Sequence, residues 1–146
     1  MSHETPQGKG EQVEAVFAAL NARDFEALGE MPFHPDMEFR SVLTAVEGGT
    51  TYHGIQGLRQ WAQGIDSIFE RFHSELIDFR ELDDERALVV VRTTGRARTS
   101  GVPIDGRRTQ IWTWRNGKMW RSEVFTDPRE AFKAAGISEK SLARED

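Results

Sequence analysis

The chain has 146 residues, 38% hydrophobic and 29% charged, with no cysteine and a formal net charge of -5. That length suits one domain with a buried core. Without cysteine there is no disulfide framework, thiolate metal site or cysteine nucleophile, and the acidic balance argues against nucleic acid as a partner. No apolar run reaches the roughly 18 to 20 residues of a membrane helix. Met1 to Gly10 has no signal-peptide core, so no membrane partner and a cytoplasmic location are expected.

Residues 1 to 10 are small and polar and read as a disordered leader. Val13, Val16, Phe17 and Leu20 then share one helical face. Asp24 can N-cap a short second helix that ends at Pro32 and Pro35. Met37 to Leu43 is a strand candidate with Met37, Phe39 and Ser41 on one face. Gly48-Gly49 forms a loop, and Tyr52-His53-Gly54 leads into a third helix striped by Leu58, Trp61, Ile65, Ile68 and Phe69.

Beyond that helix the apolar period becomes two. Strands are expected at Phe72 to Leu82, Ala87 to Thr99, Arg108 to Arg115 and Met119 to Thr126, with a turn at Gly101 to Asp105. Asn116-Gly117 is the strongest hairpin signal. Asp127-Pro128 opens a last helix and Gly136 closes it; residues 138–146 read as a flexible tail. The fold class is therefore α+β: helices, a strand, a helix and then four strands in hairpins, forming helices against an antiparallel sheet.

Several stretches together carry a resemblance: Ala18 to Asp24, His34 to Phe39, Tyr52-His53-Gly54, Trp112 to Lys118 and Asp127 to Phe132. Over residues 11–137 the chain resembles the SnoaL-like branch of the nuclear-transport-factor-2-like superfamily. The resemblance implies a cone-shaped cavity fold, acting without a cofactor on a hydrophobic small molecule. It does not choose among ketosteroid isomerases, polyketide cyclases, epoxide hydrolases, dehydratases and plain binding domains. Aligned with the isomerases, Val16 falls where they have an oxyanion-hole tyrosine, Ser41 where they have the aspartate base, and Gln110 where they have a protonated aspartic acid. The Asp-Arg-Asp set of the epoxide hydrolases is not reproduced either: Glu123 lies near its last acid, but Thr93 and Gly95 stand near the other two positions.

A two-residue turn at Asn116-Gly117 sets Trp114 opposite Met119, Trp112 opposite Arg121 and Gln110 opposite Glu123. Folding back at Gly101 to Asp105 brings Arg92 beside Trp112. This reading gives a concave face with Arg92, Gln110, Trp112, Trp114, Arg121 and Glu123, in which Glu123 acts as acid or base, Gln110 donates a hydrogen bond and Arg92 or Arg121 holds an anionic group or stabilises a developing enolate. A purely structural Arg–Glu pair is the competing reading. Trp112, Trp114, Arg121, Phe39, Ser41, Tyr52, Trp61 and Val16 are the expected ligand-binding residues. Val89, Val91, Thr93, Ile111, Thr113 and Val124 form the opposite face, a candidate homodimer contact. No histidine pair has metal-ligand spacing, so no metal is expected. Arg96, Arg98, Arg107 and Arg108 read as a solvated hairpin tip. Three functional readings stay open: a general acid/base enzyme, a non-catalytic binding domain, or a structural dimer with a filled cavity.

The three isomerase positions generate a direct expectation. With no carboxylate base at Ser41, turnover of a β,γ-unsaturated oxo-steroid should stay at buffer background, because a positioned base contributes about 10²–10⁴-fold. An ultraviolet assay of the double-bond shift checks this.

Overall fold

The computed structural model describes residues 8–41, 49–125 and 127–136. α1 (Lys9–Ala22) and α2 (Phe25–Gly29) precede β1 (Phe33–Ser41) and β2 (Thr50–His53). α3 (Gly54–Ile68) follows, then β3 (Phe69–Glu81), β4 (Arg86–Ala97), β5 (Pro103–Arg115), β6 (Lys118–Phe125) and α4 (Pro128–Ala135). The six strands form one curved sheet in the order β2-β1-β6-β5-β4-β3. All pairs are antiparallel except β1 with β6, which is parallel. No described helix is long and apolar enough to cross a membrane.

Local chemistry explains most boundaries. α1 ends where Arg23 adopts the left-handed conformation, φ 57°, and Asp24 caps α2 by accepting a hydrogen bond from Ala27 N at 3.0 Å. α1 starts at Lys9, two residues inside the expected leader; residues 1–7 and 138–146 lie outside the described chain. β1 starts four residues earlier than expected and carries Pro35 where its register with β6 shifts, a place that tolerates a residue with no N–H to donate. β2 was not expected: its four residues contain the Tyr52-His53 pair that reads as a helix approach. Gly57 lets α3 press onto that strand, since a Cβ there would lie 3.0 Å from Tyr52 Cβ.

The core lies on one face of the sheet, called inner here. Val13, Val16, Ala19 and Leu20 of α1, Leu28 of α2 and Leu58 of α3 pack against Met37, Ala87, Val89, Val91, Trp112, Trp114 and Met119. Asn21 fastens α1 to β3, donating to Ser74 O at 2.8 Å and accepting from Ser74 N at 2.9 Å. Buried Gln12 accepts the Trp114 indole N–H at 2.8 Å. On the outer face α4 covers a smaller cluster, in which Ala131 packs with Leu88 and Ile111 beside Leu82, Phe125 and Phe132.

Two register details correct the expected faces. Asn116 and Gly117 both have positive φ, 54° and 76°, and Arg115 pairs with Lys118 as a two-residue turn requires. After Trp114↔Met119, however, Trp120 is an extra residue: Thr113 pairs with Arg121, Trp112 with Ser122, Ile111 with Glu123 and Gln110 with Val124. This bulge exchanges the two faces of the rest of β6. The β4–β5 turn also lies earlier than Gly101 to Asp105, with Arg96 pairing Pro103, and so Ala87 rather than Arg92 faces Trp112. Val89, Val91, Thr93 and Val124 therefore turn inward with Gln110 and Trp112, while Ile111 turns outward beneath α4. The apolar patch behind the homodimer expectation is not one face.

Two measurements test this account. Asn21→Ala removes both bonds to β3 and leaves the Ser74 backbone N–H without its partner; urea denaturation should show a loss of about 1–3 kcal/mol. Asp66 on α3 pairs with Arg23 (Nη2 to Oδ1 2.5 Å, Nε to Oδ2 3.0 Å), and the hydrogen bond from Arg23 holds its carboxyl below the ordinary 3.8. A depressed carboxyl stabilises the fold above its unfolded pKa and loses that contribution as pH falls through its folded value. Asp66→Asn should cost under ~1 kcal/mol at pH 7, since the pair is part-exposed, and the difference from the parent should vanish in strong acid.

Candidate functional site

Alternation along β5 puts Gly106, Arg108, Gln110, Trp112 and Trp114 on the inner face, because their partners across β4 and β6 are core residues. Between this row and helices α1 and α3 lies a cavity of about 120 Å³, counted as space open to the centres of water molecules. Phe17 and Leu20 of α1, Trp61 of α3, Phe72 of β3 and Val91 of β4 supply much of its wall. Aromatic contacts stiffen it. Phe17 meets Trp112 at 5.9 Å between ring centres, Trp61 meets Phe72 at 5.9 Å edge-on, and Phe39 stacks on Tyr52 at 5.2 Å.

The polar groups of the wall are few and specifically held. The Trp112 indole N–H donates to Gln110 Oε1 at 2.8 Å. An indole can only donate, so this bond fixes the amide with its oxygen toward Trp112 and leaves its NH₂ to serve another acceptor. Trp61 Nε1 donates to Ser41 Oγ at 3.0 Å, and Ser74 and Thr93 hydroxyls approach at 3.4 Å. Arg108 lies at the cavity wall with its Nε buried and without a hydrogen-bond partner among the described residues.

Of the expected site residues, Val16, Phe39, Ser41, Trp61, Gln110, Trp112 and Arg121 line or border this cavity. Trp114 does not; it is buried against α1 through Gln12. Tyr52 stands behind Phe39. Glu123 is exposed and pairs with Ile111 on the outer face, moved there by the Trp120 bulge. Arg92 is also outside, bound through two nitrogens to Asp105 at 2.9 and 2.7 Å. That hydrogen-bonded pair raises the Arg92 pKa and lowers that of Asp105. The structure thus separates Gln110 from Glu123 and Arg92.

Glu38 and Arg108 were missed as site residues. Glu38 is the one carboxylate among the described lining residues. It sits in register with Arg121 and His53, with Arg121 Nε 3.2 Å and His53 Nδ1 3.8 Å away. The Arg121 N–H is not aimed along that short line, and the atom makes no hydrogen bond. Met37 and Phe39 join the inner core, so Glu38 between them belongs to the outer side and reaches the cavity at its edge. Arg108 was assigned to a hairpin tip. Counting back two residues from Gln110 would have put it on the inner face.

Solved structures share this architecture. An NTF2-like protein of unknown function from Burkholderia pseudomallei K96243 superposes with a TM-score of 0.67 at 19% identity, covering 85% of this chain and 94% of its own. A protein with a ketosteroid isomerase-like fold from Catenulispora acidiphila DSM 44928, solved in complex with trimethylamine, gives 0.67 at 17% identity over 92% and 96%. TerC, co-crystallised with polyporic acid, gives 0.66 at 22% identity over 86% and 96%. No curated protein sequence gives a significant match. The SnoaL-like domain family model matches residues 13–122, which takes in α1 from Val13 onward, β6 as far as Ser122 and every described lining residue of the cavity except Val124. With its helices over one face of a curved six-stranded sheet, the chain belongs to the SnoaL-like domain family.

Proposed function

We propose that this domain binds a hydrophobic small molecule in the cavity between α1, α3 and the inner face of the sheet. The observation that carries the reading is the wall itself: Phe17, Leu20, Trp61, Phe72, Val91 and Trp112 surround a space in which Gln110 presents unused amide donors. An apolar enclosure with a few oriented polar groups is what small-molecule sites share. Structural relatives with bound small molecules, polyporic acid in TerC and trimethylamine in the Catenulispora protein, support the reading by analogy of fold.

Binding is favoured over the expected general acid/base chemistry. A proton-transfer site needs a titratable group within reach of the reacting atom. Among the described lining residues that group is Glu38, and its carboxylate lies beside Arg121 on the outer side. Glu123 has the whole sheet between it and the cavity.

Fluorescence separates these roles, because Trp61 and Trp112 line the cavity. Titration of the parent with naphthylethanol should quench tryptophan emission saturably. Val16→Phe, which adds a ring to the cavity wall, should weaken that binding at least about 10-fold while costing ~1–3 kcal/mol of stability through overpacking. Glu123→Gln should leave both binding and stability within error. Binding that survives Val16→Phe unchanged would place the ligand elsewhere.

A further inference from the structure

We propose that the ligand is an amphipathic anion, with a carboxylate held by Arg108 and Gln110 and an apolar body against Trp112. This rests on the cavity-binding reading and specifies its ligand. The first observation is charge. In a chain of formal net charge -5, the cavity lining carries four arginines against one glutamate. Arg23 is paired with Asp66 and Arg121 lies against Glu38, and Arg40 donates to Val124 O at 2.8 Å. Arg108 has no carboxylate within ion-pair distance among the described residues; its contact is with the neighbouring Arg107 carbonyl, at 3.2 Å from Nη1.

The second observation is hydrogen bonding. Arg108 Nε is buried with no hydrogen-bond partner among the described residues, a state that costs free energy unless something completes it. Gln110, two residues along the same face, has its oxygen committed to Trp112 and its amide hydrogens free to donate. Donors on two successive inward positions, with no hydrogen-bond acceptor for Arg108 Nε or the Gln110 amide among the described residues, fit a carboxylate, which accepts in up to four lone-pair directions and matches a guanidinium fork. The backbone makes room for the charged group: a Cβ at Gly106, opposite Thr93, would stand 3.3 Å from Arg108 Nη1. A neutral ligand would leave the guanidinium uncompensated, and a cationic one would be repelled.

The test compares two matched probe pairs, naphthylacetate with naphthylethanol and decanoate with decanol, by tryptophan quenching on the parent and on Arg108→Met. The parent should bind each carboxylate at least about 10-fold more tightly than its alcohol, the range set by hydrogen bonds to a charged group. Arg108→Met keeps the apolar stem; it should abolish that preference by weakening carboxylate binding far more than alcohol binding, and leave urea stability equal or higher. Equal binding of acid and alcohol by the parent would overturn the anion assignment while the cavity reading stands. So would an Arg108→Met protein that keeps the preference or that unfolds. If no probe of either kind binds the parent, the cavity reading itself falls.

Discussion

One inserted residue decides which side chains of the last strand reach the cavity. In a strand neighbouring side chains alternate between faces, so an insertion of one exchanges the faces of everything after it. Trp120 is that insertion. It sends Ser122 and Val124 inward and Glu123 outward, and leaves Arg121 on the side of Glu38. The bulge has its own support. The Arg115 guanidinium lies 3.6 Å from the centre of the Trp120 ring, and that of Arg121 lies 4.2 Å from it. Arginine stacked on an aromatic is favourable by at least about 0.5–1 kcal/mol each, and more where, as at half-buried Trp120, the contact is partly desolvated. That helps hold the extra residue out of the ladder.

The other pillar of the site is the division of labour among its aromatic residues. Trp112 and Trp114 are neighbours on one face, 6.2 Å apart, yet their N–H groups are satisfied in opposite directions. Trp114 is tied to Gln12 of α1 and so belongs to the packing of helix on sheet. Trp112 is tied to Gln110 of its own strand and so presents ring and amide together to the cavity. A buried indole must find an acceptor; which acceptor it finds decides whether it is tied to the helix or to its own strand at the cavity.

The α+β class and the SnoaL-like family were legible from patterns that survive small errors. Helical stripes such as Val13-Val16-Leu20 and the Asn116-Gly117 turn, whose two residues need positive φ, tolerate a boundary that moves by a residue or two. The site was legible only in part, because face assignment does not tolerate such a move. Gln110 and Trp112 lie close to the turn that sets register, and their inward placement was readable. Glu123 lies beyond the bulge, and Arg92 depends on a turn whose Gly101 and Pro103 gave several possible folding points; an odd shift misplaces each of them. No local signal in Met119-Trp120-Arg121 announces an unpaired residue; the arginines stacked on the Trp120 ring become visible only in the folded structure. β2 is too short to show a period.

The position of α4 has a practical corollary. Ala131 seats that helix against Leu88 and Ile111, on the side of the sheet away from Gln110 and Trp112. At Gly136 the described chain is therefore separated from the cavity by the backbone of the sheet itself. A dye or an immobilising linker attached at Gly136 would start on the side of the sheet away from that cavity. The same attachment at Phe17 or Leu20 of α1 would start in the cavity wall itself.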